Sequence, residues 1–119
     1  MVVGIIGSRS IRTPIPEGVI PTDTHRIISG GAIGIDRCAR QYAQSHHIII
    51  EEILPAYDLY GKRAPLVRND IIIDKSDMLF IFWDGKSRGS AYVINECRRK
   101  GKPFRVFTYE NNKFNELSL

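Results

Sequence analysis

Cysteine is scarce in this chain. Cys38 and Cys97 are the only two among 119 residues, and neither has the CxxC or Cys/His spacing that brings thiolates together on a metal. A zinc site of that kind is therefore excluded, and we expect no metal and no cofactor. Both cysteines fall in predicted helices, where a free thiol usually packs in the core.

Long apolar runs, internal repeats and low-complexity tracts are also missing. The opening segment, MVVGIIGSRS, has no basic stretch, and its apolar run is far shorter than a signal peptide or a membrane span needs. The length suits one core. We therefore expect a soluble, cytoplasmic protein with no membrane partner, one domain over residues 1–109, and disorder only in a C-terminal tail, residues 110–119.

Positive charge is in excess, with a formal net charge of +4 and an isoelectric point near 9.3. Such a balance favours anionic partners, whether nucleotide, nucleic acid or phosphate. Net charge alone does not choose among them.

Five short apolar runs predict strands. Val2–Ile6 and Met78–Trp83 are nearly continuous, which is typical of parallel strands covered on both faces. The other three runs are Arg26–Ser29, Ile48–Ile53 and Phe104–Phe107.

Amphipathic helices are predicted between the strands. One helix begins near Ile35, another begins at Ala64-Pro65, and the last ends in KGKP, where Gly101 is a stop signal. The first crossover, Ser10–His25, contains three prolines and is predicted to be a loop or a single turn. The alternation predicts an α/β, Rossmann-like three-layer fold around a mainly parallel five-stranded sheet of order 3-2-1-4-5.

Four polar segments follow the predicted strands: GSRS, SGGAIGID, PAYDLYGKRAPLVRND and DGKSRGS. Ligand sites of open parallel sheets lie beyond the carboxyl ends of the strands, where strand order reverses, so we expect these segments to share one edge. Glycines let backbone N–H groups approach an anion, and helix starts present unpaired donors. The predicted phosphate-binding residues are Gly7, Ser8, Arg9, Gly30, Gly31, Ala32, Arg68, Asn69, Gly85, Lys86, Ser87, Arg88, Gly89 and Ser90.

Three further residues are candidates for contacts with a sugar or base: Asp36, Asp84 and Tyr57. The glycines and Asp36 also have simpler, structural explanations. The glycines of SGGAIGID also suit a tight turn made for packing, and Asp36 also suits the first turn of a helix as a favourable charge. The sequence leaves these alternatives open.

Together, GSRS, SGGAIGID, YGKRAPLVRND and SDMLFIFWDGKSRGS resemble the SLOG superfamily, specifically its small, stand-alone YspA/YpsA-like branch. The resemblance extends from Val2 to about Phe107. It implies a Rossmann-like fold that binds a nucleotide or a nucleotide-derived ligand at the glycine-rich edge, as a sensor or a processor. Homodimers are common in such families, and the exposed face of the last helix is a candidate for pairing.

Two relatives within that superfamily imply alternative functions. Lonely Guy phosphoribohydrolases cleave the N-glycosidic bond of a nucleotide and use a GT-x-x-E pattern, in which this chain has Val93 at the glutamate position and Arg68 at the matching arginine. Glu96 and Asp84 are the remaining catalytic candidates, and we lean against an enzyme. DNA-processing protein A binds single-stranded DNA, which is a second alternative here.

Overall fold

Strands and helices alternate along the chain in the predicted order, and the computed structural model describes all residues, 1–119. The strands are β1 (Val2–Gly7), β2 (Arg26–Ser29), β3 (Ile49–Glu52), β4 (Met78–Trp83), β5 (Phe104–Glu110) and β6 (Lys113–Leu117). The helices are α1 (Ile35–Ser45), α2 (Tyr57–Tyr60), α3 (Ala64–Lys75) and α4 (Arg88–Lys100), with a 3-10 turn at Gly61–Arg63 between α2 and α3.

All six strands form one sheet of order β3-β2-β1-β4-β5-β6. The first five strands pair in parallel, in the predicted order 3-2-1-4-5. The α/β class and this order are confirmed, and the order reverses between β1 and β4, which are neighbours in the sheet. The reversal leaves a crevice at the carboxyl ends of these two strands.

The expectation that residues 110–119 form a disordered tail is wrong for most of this segment. Residues 113–117 form β6, which pairs antiparallel with β5. Asn111 and Asn112 connect the two strands with positive φ angles of 51° and 62°, as a two-residue hairpin turn of the I′ type requires and as asparagine tolerates. Phe114 packs on Phe82 with ring centroids 5.2 Å apart, so the hairpin adds to the core.

Hydrophobic side chains cover both faces of the sheet. On one face, α1 packs together with the first crossover, which contains no helix, as predicted. Its isoleucines Ile11, Ile15 and Ile20 are buried and fill the space that a crossover helix would occupy. On the other face, α3 and α4 pack against β1 and β4. No helix combines the length and hydropathy needed to span a membrane.

Both cysteines are buried, as expected, Cys38 in α1 and Cys97 in α4. Burial raises the pKa of the Cys97 thiol to about 11. A thiol with such a pKa stays protonated near neutral pH, so Cys97 serves packing.

His46, at the end of α1, joins the first crossover to this helix. Its Nε2 lies 2.8 Å from Glu17, and its Nδ1 lies 2.9 Å from the Tyr42 carbonyl oxygen. The bond to the Tyr42 carbonyl and then the bond to Glu17 raise the pKa of His46. The folded state therefore stabilises the protonated form of His46 more than the unfolded chain does.

Stability should consequently fall as pH rises through the raised pKa of His46. The contribution is complete below the unfolded histidine pKa of about 6.5 and disappears above the folded value. Melting temperatures at about pH 5 and about pH 8 should differ more for the wild type than for Glu17→Gln. Equal differences in the two proteins would show that the Glu17–His46 contact contributes nothing.

Candidate functional site

A polar cavity of about 420 Å³ lies at the carboxyl ends of β1, β2 and β4 and extends between the first turns of α3 and α4. It occupies the crevice where the strand order reverses. Eleven of the predicted site residues line it: Gly7, Arg9, Gly30, Ala32, Asp36, Arg68, Asn69, Asp84, Ser87, Gly89 and Ser90. Ser10, in the predicted GSRS segment, also lines it, and sequence reasoning missed the other four: Ile6, Pro65, Leu66 and Ile72.

Six predicted residues belong to the same edge but do not line the cavity. They are Ser8, Gly31, Tyr57, Gly85, Lys86 and Arg88. Ser8 is buried and structural: its amide donates to the Phe82 carbonyl at 3.0 Å, and its hydroxyl accepts the Asp84 amide at 3.0 Å. Ser8 therefore fixes the loop after β1 to the end of β4.

The loop after β4 is organised by Asp84. Its Oδ1 accepts the amides of Lys86 and Ser87, each at 2.8 Å, and its Oδ2 accepts the Ser10 hydroxyl at 2.9 Å. Burial alone would raise the pKa of Asp84, but these hydrogen bonds outweigh it, so the pKa lies below its usual value. Asp84 is a charged anchor for the loop, and both of its oxygens are already hydrogen-bonded.

Fewer backbone amides are free to bind an anion than the sequence predicted. Besides Ser8, Lys86 and Ser87, the amide of Ala32 is also occupied, because it donates to Asp36 at 3.1 Å. The amides of Gly31, Arg88 and Gly89 donate to no protein acceptor. Free backbone donors are thus concentrated at the start of α4, a helix of 13 residues.

Arg68 and Asp36 form the buried polar centre of the cavity wall. Arg68 is 8% exposed, and its Nη1 donates to the Gly30 carbonyl at 2.8 Å. Asp36 is 7% exposed and accepts the Ser29 hydroxyl at 3.1 Å as well as the Ala32 amide. Burial lowers the pKa of Arg68 and raises the pKa of Asp36, and the attraction between the two charges opposes both shifts.

Gly30 separates these two side chains. A methyl group there would overlap the Arg68 guanidinium and would lie 2.7 Å from the Asp36 carboxylate. The glycine is therefore required by packing, which is the simpler of the two explanations that the sequence left open for SGGAIGID. Asp36 binds its own loop, so it is not free to hold a sugar.

Two buried polar atoms on the cavity wall have no partner within the protein. They are Nε of Arg68 and Oγ of Ser90, whose residue is only 2% exposed. Buried polar groups are nearly always hydrogen-bonded, so two unpartnered atoms in residues that line the same cavity mark a place for a polar ligand. Asn69, beside Arg68 on α3, is buried on the same wall.

Unpaired cations surround the cavity. Six of the 17 lysines and arginines form ion pairs with carboxylates, and none of those six lies in the segments around the cavity. The unpaired cations of these segments are Arg9, Lys62, Arg63, Lys86 and Arg88, of which Arg9 lines the cavity. The edge thus retains a positive field that attracts anions.

Exposed apolar side chains flank one side of the cavity, on the segment that leads into α3. Leu54, Tyr57, Leu59 and Tyr60, here called the aromatic rim, are 67%, 55%, 73% and 48% exposed. Tyr57 is close enough to Arg68 for the charge of its phenolate to oppose the lowering of the Arg68 pKa by burial. Trp83, in contrast, is half-buried and donates to the Ser87 carbonyl at 3.0 Å, so it supports the loop.

The carboxylate candidates for catalysis are poorly placed. Glu96 lies outside the cavity, in an ion pair with Arg99 at 2.7 Å. Val93, at the position of the glutamate in the phosphoribohydrolase pattern, is fully buried in the core. Only Asp36 and Asp84 bring carboxylates to the wall, and both are hydrogen-bonded by the protein.

Comparisons of the chain with protein-family models, curated proteins and solved structures find no match. The class of the protein therefore rests on the fold and the cavity. It is an α/β protein with a polar cavity at the strand-order reversal of a mainly parallel sheet. No group of three or more His, Cys, Asp or Glu side chains is arranged to hold a metal.

Proposed function

We propose that this cavity binds a nucleotide or a nucleotide-derived ligand and that the protein acts as a sensor or processor of that ligand, as a small SLOG protein. The observation that carries the proposal is the convergence of unpartnered donors. Three residues that line the cavity carry such donors: Arg68 at Nε, Ser90 at Oγ and Gly89 at its backbone amide. A phosphate group offers enough acceptor oxygens for all of them.

Gly89 supports a phosphate at the start of α4. A Cβ at this position would meet nothing closer than the Ser87 hydroxyl at 4.0 Å, and its φ is not positive. Alanine would suit a helix better by up to about 1 kcal/mol, so neither the backbone nor the packing accounts for glycine here. Close approach of a ligand to the backbone accounts for it.

The aromatic rim supplies the surface for a base. Tyr57 is exposed and near Arg68, so a ring stacked on it would extend from the phosphate end of the cavity. The sugar would lie between them, among the polar side chains of the lining such as Ser10 and Asn69. This placement replaces Asp36 and Asp84 as the sugar contacts expected from the sequence.

Binding is favoured over hydrolysis of an N-glycosidic bond. An oxocarbenium-like transition state needs a carboxylate to stabilise it or to direct water. Asp36 and Asp84 are committed to the loops, and Glu96 lies outside the cavity. Incubation with nucleoside monophosphates should therefore release no free base, and release of base by the wild type would favour the enzyme alternative.

Single-stranded DNA remains the second alternative, supported by Lys62 and Arg63 beside the aromatic rim. Salt distinguishes the two ligands. DNA affinity falls steeply with ionic strength because several counterions are released, whereas one nucleotide held largely by backbone and buried groups is less sensitive. Titration at two salt concentrations decides between them.

The proposal predicts that nucleotides raise the melting temperature of the protein and that the matching nucleosides do not. Arg68→Met should abolish this shift, because it removes the buried guanidinium from the cavity wall. Arg98→Gln is the matched control, since Arg98 is an exposed, unpaired cation at the far end of α4. Equal shifts in wild type and Arg68→Met would refute the role of Arg68.

The ligand itself can be identified by mass spectrometry of small molecules released from the denatured protein. The mass of the native protein in solution, measured on the same preparation before denaturation, tests the predicted homodimer. A mass of 13.5 kDa in solution would count against pairing through the exposed face of α4.

A further inference from the structure

A second cavity of about 210 Å³ lies on the α1 face of the fold, outside the site described above. It is lined by Arg12, Gly34, Arg37, Cys38 and Gln41, and we call it the α1 cavity. We propose that the α1 cavity is a second anion site, which binds a phosphate group between the guanidinium groups of Arg12 and Arg37.

The charges of the α1 cavity support this assignment. Arg12 and Arg37 are both exposed, and neither forms an ion pair or a side-chain hydrogen bond with the protein. No lining residue carries a carboxylate, so two like charges converge on one concave surface without compensation. A phosphate would relieve their repulsion, and guanidinium forks bind phosphate oxygens in pairs.

The neutral lining residues fit the same ligand. Arg37 has no acidic neighbour on its helix face, where a surface helix often has a carboxylate partner for an arginine. Gly34 lies three residues before it, and Arg40 and Gln41 lie three and four residues after it. Gln41 brings an amide that can donate to a phosphate oxygen. The wall thus carries the donors of Arg12, Arg37 and Gln41, with no competing anion.

The two cavities are separated by a close contact between Arg9, which lines the first, and Gly34, which lines the second. Gly34 packs so closely against Arg9 that a methyl group on Gly34 would lie 2.6 Å from the Arg9 Cα atom. Arg9 itself lines the first cavity, and Arg12 lines the second. The bound phosphate therefore has two possible sources: a second phosphate of the ligand in the first cavity, reaching past Arg9, or a separate anion. Only the first source rests on the proposed function.

The test is a titration with inorganic phosphate at constant ionic strength, followed by amide NMR signals. We expect saturable shifts at Gly34, Arg37 and Cys38. The double variant Arg12→Gln/Arg37→Gln should weaken this binding by about tenfold or more. The control Arg98→Gln/Lys100→Gln removes two exposed cations from the last turn of α4, on the opposite face of the sheet from α1, and should bind as the wild type does.

Two results would overturn the proposal. One is the absence of saturable shifts at the α1 cavity, and the other is their persistence in the Arg12→Gln/Arg37→Gln variant. A lysine pair at the same positions provides a further check. It keeps the charge but loses the fork geometry, so its affinity should lie between those of the wild type and the glutamine pair.

A 5′-phosphorylated dinucleotide distinguishes the two sources. If it binds more tightly than a mononucleotide and loses that advantage in Arg12→Gln/Arg37→Gln, one ligand occupies both cavities. If it has no advantage, and phosphate still shifts Arg37 while a mononucleotide shifts Gly89, the anion is separate. If no nucleotide shifts Gly89 but phosphate shifts Arg37, the proposed function fails and the second site stands.

Discussion

Asp36→Ala should lower the free energy of unfolding by about 3 kcal/mol, because it leaves the Arg68 guanidinium buried without a nearby counter-charge. It also removes the acceptor for the Ser29 hydroxyl and the Ala32 amide, which hold the loop after β2. Urea unfolding of the variant and the wild type, at matched ionic strength, measures the difference.

Arg68→Met should cost less, about 1 to 2 kcal/mol, although it removes the other half of the same charge pair. Asp36 keeps its hydrogen bonds from Ser29 and Ala32 in that variant. Burial already raises the pKa of Asp36, so the carboxyl can take up a proton once the guanidinium is gone. The asymmetry would separate the role of Asp36 in stabilising the fold from the role in ligand binding that we propose for Arg68.

Asp58→Ala is the matched control for Asp36→Ala. Asp58 is an exposed carboxylate in α2 with no ion pair, so its loss should change stability by less than about 0.5 kcal/mol. The argument fails if Asp36→Ala costs no more than Asp58→Ala, or if Arg68→Met costs as much as Asp36→Ala. A double variant, Asp36→Asn/Arg68→Met, should recover part of the loss because no buried charge remains unpaired.

The sheet was predictable because strand burial leaves a direct trace in the sequence. Met78–Trp83 and Arg26–Ser29 occupy the predicted positions, since both faces of each strand are covered. The position of the cavity at the carboxyl edge of the sheet was predictable from the parallel order of the strands alone. The hairpin to β6 was missed because its strand, KFNEL, is mostly exposed and contains few apolar residues. The two asparagines of the turn, Asn111 and Asn112, were a sequence signal that could have predicted it.

The state of each donor at the site was not predictable in the same way. Whether an amide is free depends on contacts between segments distant in sequence, such as the hydroxyl of Ser8 on the amide of Asp84. Glycine composition predicted a turn that approaches something closely, but not what it approaches. In the structure Gly30 approaches side chains of this protein, whereas Gly89 has open space beside it.

Gly7→Ala should be strongly destabilising, by about 2 to 3 kcal/mol, since a methyl there would lie 2.5 Å from the Phe82 carbonyl oxygen and 2.6 Å from the Ile35 side chain. The first belongs to the backbone of β4 and the second to the start of α1, so neither can move without disturbing the sheet or the helix. The loss should be visible in urea unfolding as a lower midpoint with an unchanged slope.

Gly89→Ala should leave stability within about 0.5 kcal/mol of the wild type, or raise it, because open space surrounds the position and alanine suits a helix. The same methyl should weaken nucleotide binding by about tenfold, since it stands between the α4 amides and a phosphate. Gly7→Ala should thus lower the free energy of unfolding, whereas Gly89→Ala should lower the affinity for the nucleotide. If Gly89→Ala destabilises the protein as much as Gly7→Ala does, or binds nucleotide as the wild type does, the start of α4 is not where the phosphate lies.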